Sequence, residues 1–209
     1  MRIIDLSMPI EPHFRWNPEL QIKGDIAAGD QFRISRVTTT CHGFTHVDAK
    51  AHFVANAPTI EATPLRQVVG PCRVLKLRDA PANTAIGADR LAAADPGGPE
   101  GEIMLLSVGW DRKQDYRTPA FWTEAPWLTR DAADPQDYPI RLLLEGKSAP
   151  NEEQVTHDVL LKNGITLIEY LINTSALEGP RTLLCAAPLQ IPNADGAPTR
   201  AFALESLNA

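Results

Sequence analysis

The segment from Thr40 to Phe53, TCHGFTHVDAKAHF, gathers three of the five histidines of the chain and one aspartate within eleven positions. His42, His46, Asp48 and His52 follow the spacing H-x3-H-x-D-x3-H. Imidazole nitrogens and a carboxylate on one short piece of backbone are the ligands that Zn²⁺ and Mn²⁺ bind in proteins. The spacing therefore predicts a divalent metal site.

Apolar residues interleave these polar positions. Val47, Ala49, Ala51 and Phe53 alternate with them, which indicates a partly buried segment. A buried cluster of histidines without a shared partner is costly, and a cation would remove that cost. The local pattern also leaves two other interpretations open, namely hydrogen-bonded polar residues beside the core and a solvated surface run.

The flanking sequence predicts a strand-rich α/β chain. Ile3, Ile4 and Leu6 open a first strand that Pro9 ends, and a β-branched run through Phe32–Thr40 leads into the histidine segment. A strand end would hold metal ligands on rigid backbone. Further predicted strands and helices follow downstream: strands at Cys72–Leu77, at Glu102–Val108 as a buried central strand, and at Arg141–Leu144, and helices at 86–95 and Asn151–Asn163.

The last part of the chain predicts two more strands. TLLCAAPLQIPNADGAPTRAFALE reads as two strands joined by an Asn-Ala-Asp-Gly turn, because glycine tolerates positive φ.

His157 and Glu169 are less clear from their surroundings alone. His157 lies in the predicted helix, and Glu169 follows the apolar run ITLI. A carboxylate buried after such a run needs a cationic partner, and a metal ion would supply it. An exposed helical histidine and a glutamate at the polar exit of a strand are the alternatives.

Two regions are rich in aromatic residues. Phe14 and Trp16 lie in a proline-flanked loop, where they would either line a pocket for a planar ligand or close over the core. Residues 110–139 form an irregular excursion that covers a pocket or a subunit neighbour, or is a surface loop packed by its own aromatic side chains. Because no long linker divides the chain, we expect a single domain over residues 1–209.

Composition narrows the classes of partner. The 209 residues carry a formal net charge of −6 with a pI near 5.4, which argues against a nucleic-acid surface. No apolar run is long enough to cross a bilayer, and the first residues lack a secretory pattern. Three separated cysteines fit a reducing compartment, so we expect a cytoplasmic protein.

The motif HGFTHVDAKAHF resembles the H-x-G-[ST]-H-x-D-A-P-x-H signature of the metal-dependent cyclase family, which includes bacterial kynurenine formamidases (arylformamidases) and isatin hydrolases. The opening IIDLSMPI, the pair His157 and Glu169 twelve positions apart, and the closing PLQIPNADGAPTRAFALE resemble other parts of that family. The resemblance implies a mixed β-sheet flanked by helices, in the swivelling β/β/α-like architecture of the cyclases.

The resemblance also implies roles for individual residues. His42, His46 and Asp48 would hold one divalent metal and His157 a second, with Asp48 and Glu169 able to bridge two ions of zinc or manganese. His52 would be the catalytic acid/base. The substrate-binding residues would be Trp16, Phe14 and Phe44.

The implied reaction is hydrolysis of a small aromatic amide. An N-formyl amide such as N-formylkynurenine would give kynurenine and formate, a step of tryptophan catabolism, and the protein would be a homodimer or homotetramer. One alternative is hydrolysis of a cyclic amide or lactone, as in isatin hydrolase. Another is a non-catalytic protein that binds metal or ligand.

Three positions depart from the family pattern. Phe44 stands where the family has glycine, Lys50 replaces a proline, and only Glu145 offers a carboxylate where relatives carry two aspartates. These departures affect the pocket more than the metal ligands.

Overall fold

The computed structural model describes residues 1–99, 101–133, 142–144 and 155–205. Thirteen strands are present in this part of the chain: β1 Arg2–Asp5, β2 Glu19–Gly24, β3 Ile34–Thr38, β4 His46–Asp48, β5 Val69–Lys76, β6 Ala85–Ile86, β7 Ile103–Ser107, β8 Trp127–Leu128, β9 Leu142–Leu144, β10 Leu167–Glu169, β11 Arg181–Cys185, β12 Gly196–Pro198 and β13 Phe202–Glu205. Four α-helices accompany them: α1 Ala88–Ala94, α2 Pro119–Thr123, α3 Arg130–Ala133 and α4 Val155–Lys162.

Nine strands form one mixed sheet in the order β1-β13-β11-β5-β7-β9-β10-β4-β12. The central strands β5, β7, β9 and β10 are parallel to their neighbours in this series, and the pairings at both ends of the sheet are antiparallel. A parallel centre must be covered on both faces, and the strand β7 is accordingly buried along its whole length. The expected α/β fold with a mixed sheet and flanking helices is confirmed.

Two apolar layers enclose the sheet. Along β7, Met104 and Leu106 point to the face covered by helices such as α1 and α4, and Ile103 and Leu105 point to the other face. This alternation follows from the two-residue period of a strand. The second face packs against loops and 3-10 turns, including Ile60. No helix in the described ranges is long and apolar enough to cross a membrane.

Several predicted elements agree with the structure. The first strand, the strand at 72–77, the central strand at 102–108 and the helix near 86–95 correspond to β1, β5, β7 and α1. The predicted helix at 151–163 corresponds to α4 from Val155 onward, while its first residues lie outside the described ranges. Residues 134–139 of the aromatic excursion, Arg141 and Glu145 also lie outside them.

The prediction for Phe32–Thr40 is wrong in one respect. This run forms β3, but β3 pairs only with β2 in a separate two-stranded hairpin and ends at Thr38. The metal-ligand candidates lie instead on β4, which is part of the main sheet. The β-branched residues of β3 are exposed, so the strand pattern of this run does not indicate a strand in the hydrophobic core.

The end of the chain forms the two antiparallel strands that the sequence predicts, with one addition. β11 pairs with β13, and an isolated bridge joins Pro188 and Thr199 on either side of the Asn-Ala-Asp-Gly segment. The addition is a third strand, β12, which pairs with β4 at the opposite edge of the sheet. This pairing brings Asp195 beside the histidine segment.

Candidate metal centre

Strand pairing places three of the predicted ligands together. In the antiparallel pair of β4 and β10, Glu169 lies directly opposite His46, and Asp48 lies two residues further along β4. Residues two apart on a strand share a face, so His46, Asp48 and Glu169 all project from the same side of the sheet. All three side chains are buried.

His42 reaches this cluster from the loop before β4. Its Nδ1 is 2.8 Å from Asp48 Oδ1. The ring packs so tightly against β12 that a Cβ at Gly196 would lie 2.7 Å from His42 Cε1. Only glycine at position 196 leaves room for this histidine.

Phe44 turns the same loop and is strained. Its φ is +59°, in the left-handed region that favours glycine, and its side chain is among the largest that are fully buried. The family's glycine therefore suits the backbone that this chain adopts, so replacing it with phenylalanine keeps the path and adds a ring. Phe44 O accepts a hydrogen bond of 2.8 Å from His46 Nδ1.

His52 is presented by a short 3-10 turn, Lys50–His52. Its ring stacks on that of His42 with centroids 3.8 Å apart. Lys50 is the first residue of the turn, a position that suits the family's proline because proline has no N–H to satisfy there. Lys50 begins this turn, and His52 lies beside His42 with lysine at that position.

His157 enters from the helix that covers this face. Its Nε2 is 2.9 Å from Glu169 Oε1 and 3.6 Å from Asp48 Oδ2. Phe53, next to His52, stacks on the His157 ring at 5.3 Å. His157, more than one hundred residues later in the sequence, thus completes the cluster from the helix that covers this face of the sheet.

The hydrogen-bonding pattern fits a bound cation. His46 Nδ1 faces the carbonyl oxygen of Phe44, so a neutral ring has its lone pair at Nε2. That nitrogen is 3.1 Å from Asp48 Oδ1 and 3.6 Å from Glu169 Oε2, which are also acceptors. His46 Nε2 and Asp48 Oδ2 are buried without a hydrogen-bond partner. A divalent cation would satisfy acceptors that otherwise face one another.

Two groups of side chains bring their ligand atoms close enough to hold an ion. One comprises His42, Asp48 and His52, and the other comprises His46, Asp48 and Glu169, so Asp48 belongs to both. The first group also offers His52 as a ligand, although the sequence pattern assigns it a different role. Nitrogen and carboxylate ligands of this kind suit zinc and manganese.

The electrostatics distinguish His52 from the other three histidines. Burial lowers the pKa of His42, His46 and His157, but contacts with carboxylates raise it by more, and the pKa of His157 rises to about 9 beside Glu169 and Asp48. Burial also lowers the pKa of His52, the neighbouring His42 and His157 lower it further, and its net shift is downward. His52 is therefore the histidine of the four whose neutral form is favoured.

Asp195 is a member of the cluster that the sequence analysis missed. Its Oδ2 is 2.9 Å from His42 Nε2 and 3.5 Å from His52 Nδ1. Burial raises the pKa of this carboxyl, but contact with His42 lowers it by more. The only sequence signal was an Asp-Gly pair, which is typical of a turn.

An aromatic wall stands beside the cluster. It consists of Trp16, Phe44, Trp122 and Tyr170, with Trp16 centroids 4.8 Å from Phe44, 5.0 Å from Trp122 and 5.4 Å from Tyr170. The Tyr170 ring is 5.2 Å from that of His46. Trp122 comes from the predicted aromatic excursion, so part of that excursion packs over this wall. Phe14 lies further out, 54% exposed, and its ring stacks on His13.

Tyr170 was not identified from the sequence. It follows Glu169 directly and has a φ of +58°, which is rare for an aromatic residue. Its carbonyl accepts a hydrogen bond of 2.7 Å from Thr45 Oγ1, and this bond holds the strained residue next to the histidine loop.

Comparison with known proteins finds relatives along nearly the whole chain. Residues 4–135 match the family model Cyclase, described as "Putative cyclase". Kynurenine formamidase of Bordetella petrii is 26% identical, covering 94% of this chain and 88% of the relative.

Two solved structures share the fold. A structure described as a predicted metal-dependent hydrolase, from Bacillus stearothermophilus, matches with a TM-score of 0.75 and 28% identity over 97% of each chain. Isatin hydrolase A from Ralstonia solanacearum matches with a TM-score of 0.82 and 19% identity, covering 98% of this chain and 92% of the other.

Proposed function

The chain belongs to the cyclase family, and from this membership and the geometry of the centre we propose that it is a metal-dependent hydrolase that cleaves an aromatic N-formyl amide to the amine and formate. The observation that carries the proposal is the pair of potential ligand groups that share Asp48, one of which contains His52, the histidine whose pKa is lowered. Relatives named kynurenine formamidase support N-formylkynurenine as the substrate to test first.

Five side chains would hold the metal. His42, His46 and Asp48 would bind one ion and His157 a second, with Asp48 and Glu169 able to contribute to both. Zinc and manganese both suit these ligands. When bound, such ions act as Lewis acids on a carbonyl oxygen and lower the pKa of water.

His52 would move the proton during hydrolysis. Its Nδ1 faces Asp195, which leaves Nε2 to accept a proton from the attacking water. The same nitrogen would then donate that proton to the amide nitrogen as the C–N bond breaks. This second transfer matters because, without it, the leaving group would be an anilide anion, which is a poor leaving group.

Trp16 would contact the aromatic ring of the substrate, whereas Phe44, predicted from the sequence to do the same, is buried and would instead pack against Trp16. Their rings are neighbours, and Tyr170 connects them to the ring of His46. Aromatic side chains next to a few convergent polar groups are typical of small-molecule sites. Phe14, which is more exposed, would contribute at the outer edge.

A turnover assay tests the proposal. Protein loaded with Zn²⁺ or Mn²⁺ is incubated with N-formylkynurenine, and release of both kynurenine and formate is measured. Isatin and an aromatic lactone serve as parallel substrates. Kynurenine formation is the expected result, whereas hydrolysis of isatin alone would identify a cyclic-amide hydrolase.

Metal analysis separates the remaining possibilities. Less than one equivalent of metal per chain after supplementation would contradict the whole proposal. Bound metal without turnover of any amide or ester, together with unchanged ligand binding in a His52→Ala variant, would instead identify a non-catalytic binding protein.

We also propose that the chain forms homodimers or homotetramers. The hairpin of β2 and β3 exposes Leu20, Ile34 and Val37, and an isolated two-stranded hairpin is marginal in water. Light scattering after size exclusion measures the mass, and a monomer at micromolar concentration would contradict the proposal.

A further inference from the structure

Arg15 lies in the proline-flanked loop at the aromatic wall and has an unusual environment. Its guanidinium carbon is 4.6 Å from the centre of the Trp122 ring and 5.6 Å from that of Trp16. No carboxylate in the described parts of the chain forms an ion pair with it. Arg117, which also stacks on an aromatic ring, pairs by contrast with both Glu11 and Asp115.

This guanidinium is held next to the candidate metal centre. Trp16 and Trp122, on which it stacks, both contact Tyr170, and Tyr170 contacts His46. The guanidinium is therefore connected to His46 through two successive ring contacts, that of Trp122 with Tyr170 at 5.0 Å and that of Tyr170 with His46 at 5.2 Å.

Stacking prepares an arginine to bind an anion. When an indole covers the face of the guanidinium, its N–H groups remain free at the edge of the plane. Those groups form a fork that matches the two oxygens of a carboxylate. The carboxylates of the centre and the net charge of −6 would otherwise repel the carboxylate group of a substrate.

We propose that Arg15 binds a carboxylate of the substrate, so that the enzyme selects aromatic amides that carry a negative charge beyond the scissile bond. This inference rests on the proposed hydrolase function and adds a specificity determinant to it. Arg15 orients the carboxylate of the substrate while Trp16 contacts its ring.

The kinetic test uses a matched pair of substrates. N-formylkynurenine and its methyl ester share the ring and the formamide, but the ester lacks the carboxylate charge. In Arg15→Ala we expect KM for the acid to rise roughly tenfold with kcat unchanged, because an exposed charge-assisted contact is lost. KM for the ester should stay the same.

Two further variants control the interpretation. Arg15→Lys keeps the charge without the planar fork, so it should recover part of the loss. Arg112→Ala removes an exposed arginine on the 3-10 turn Trp110–Arg112 and should match the wild type. Equal changes for acid and ester in Arg15→Ala, or no change for either, would overturn the assignment.

A binding measurement keeps this inference separate from the proposed reaction. Titration calorimetry compares kynurenine with kynurenine methyl ester on the metal-loaded protein. We expect the wild type to prefer the acid, and Arg15→Ala to lose the preference. If the wild type hydrolyses neither substrate, the proposed function fails, and the calorimetric comparison still decides for or against Arg15.

Discussion

The pair of His157 and Glu169 makes the stability of the metal-free protein depend on pH. Burial alone lowers the pKa of His157, but Glu169 and Asp48 raise it from 6.5 to about 9. Since the folded pKa is higher than the unfolded one, the stabilisation is fully present below about pH 6.5. It is lost as the pH rises through 9.

The size of the effect follows from the two pKa values. A change from about 6.5 to about 9 corresponds to about 3 kcal/mol of unfolding free energy. The side chain is only 15% exposed, so solvent screening reduces this value little. His42 and His46 also have raised pKa values and act in the same direction, so a variant is needed to isolate His157.

Urea unfolding of chelator-treated protein at pH 6 and pH 9.5 measures the difference. The wild type should lose about 3 kcal/mol more between these values than His157→Gln, in which the titrating group is absent. Metal-loaded wild type should show the opposite trend, because metal binding requires deprotonated histidines. The same pH dependence in both metal-free proteins, or a wild type that is more stable at pH 9.5, would refute the reasoning.

Three other substitutions give distinct outcomes. Phe44→Gly relieves about 1 kcal/mol of left-handed backbone strain but removes a fully buried ring whose packing contributes about 3–5 kcal/mol. Urea unfolding should therefore show that the free energy of unfolding falls by about 3 kcal/mol. An unchanged stability would contradict the packing argument. His52→Asn should lower kcat by about a hundredfold with metal content unchanged; loss of metal would make His52 a ligand. Asp195→Asn removes the charge beside His42 and should weaken metal affinity by about tenfold to a hundredfold, measured by competition with a chelator, whereas an unchanged affinity would make Asp195 dispensable for metal binding.

The sequence alone predicts the ligands of the candidate metal centre more completely than it predicts the fold around them. His46 and Asp48 share a face because strand side chains alternate, so a spacing of two in the motif already contains the geometry. His157 and Glu169 could be connected to them only through family resemblance. Neither local pattern reveals that the segments meet across a sheet.

The missed residues have a common cause. Asp195 lies in a segment with turn composition, but which strands flank that segment depends on pairing between distant parts of the chain. Tyr170 is placed by a hydrogen bond from Thr45, more than one hundred residues earlier. β3 has the local pattern of a core strand yet lies in an exposed hairpin. The positions of Asp195, Tyr170 and β3 all depend on contacts between distant parts of the chain, and the hydrophobic periodicity of a short segment contains no information about such contacts.

The strand order also governs how the protein is made. β12 covers one side of β4, β10 covers the other, and β13 lies between β1 and β11, so the last strands complete both halves of the sheet. At about 5–20 residues per second, roughly six to twenty-four seconds of translation separate Asp48 from Glu169. Until then the histidine segment has neither of its neighbouring strands, because β12 follows later still. A metal ion held by both His46 and Glu169 would therefore bind only after β10 has been synthesised.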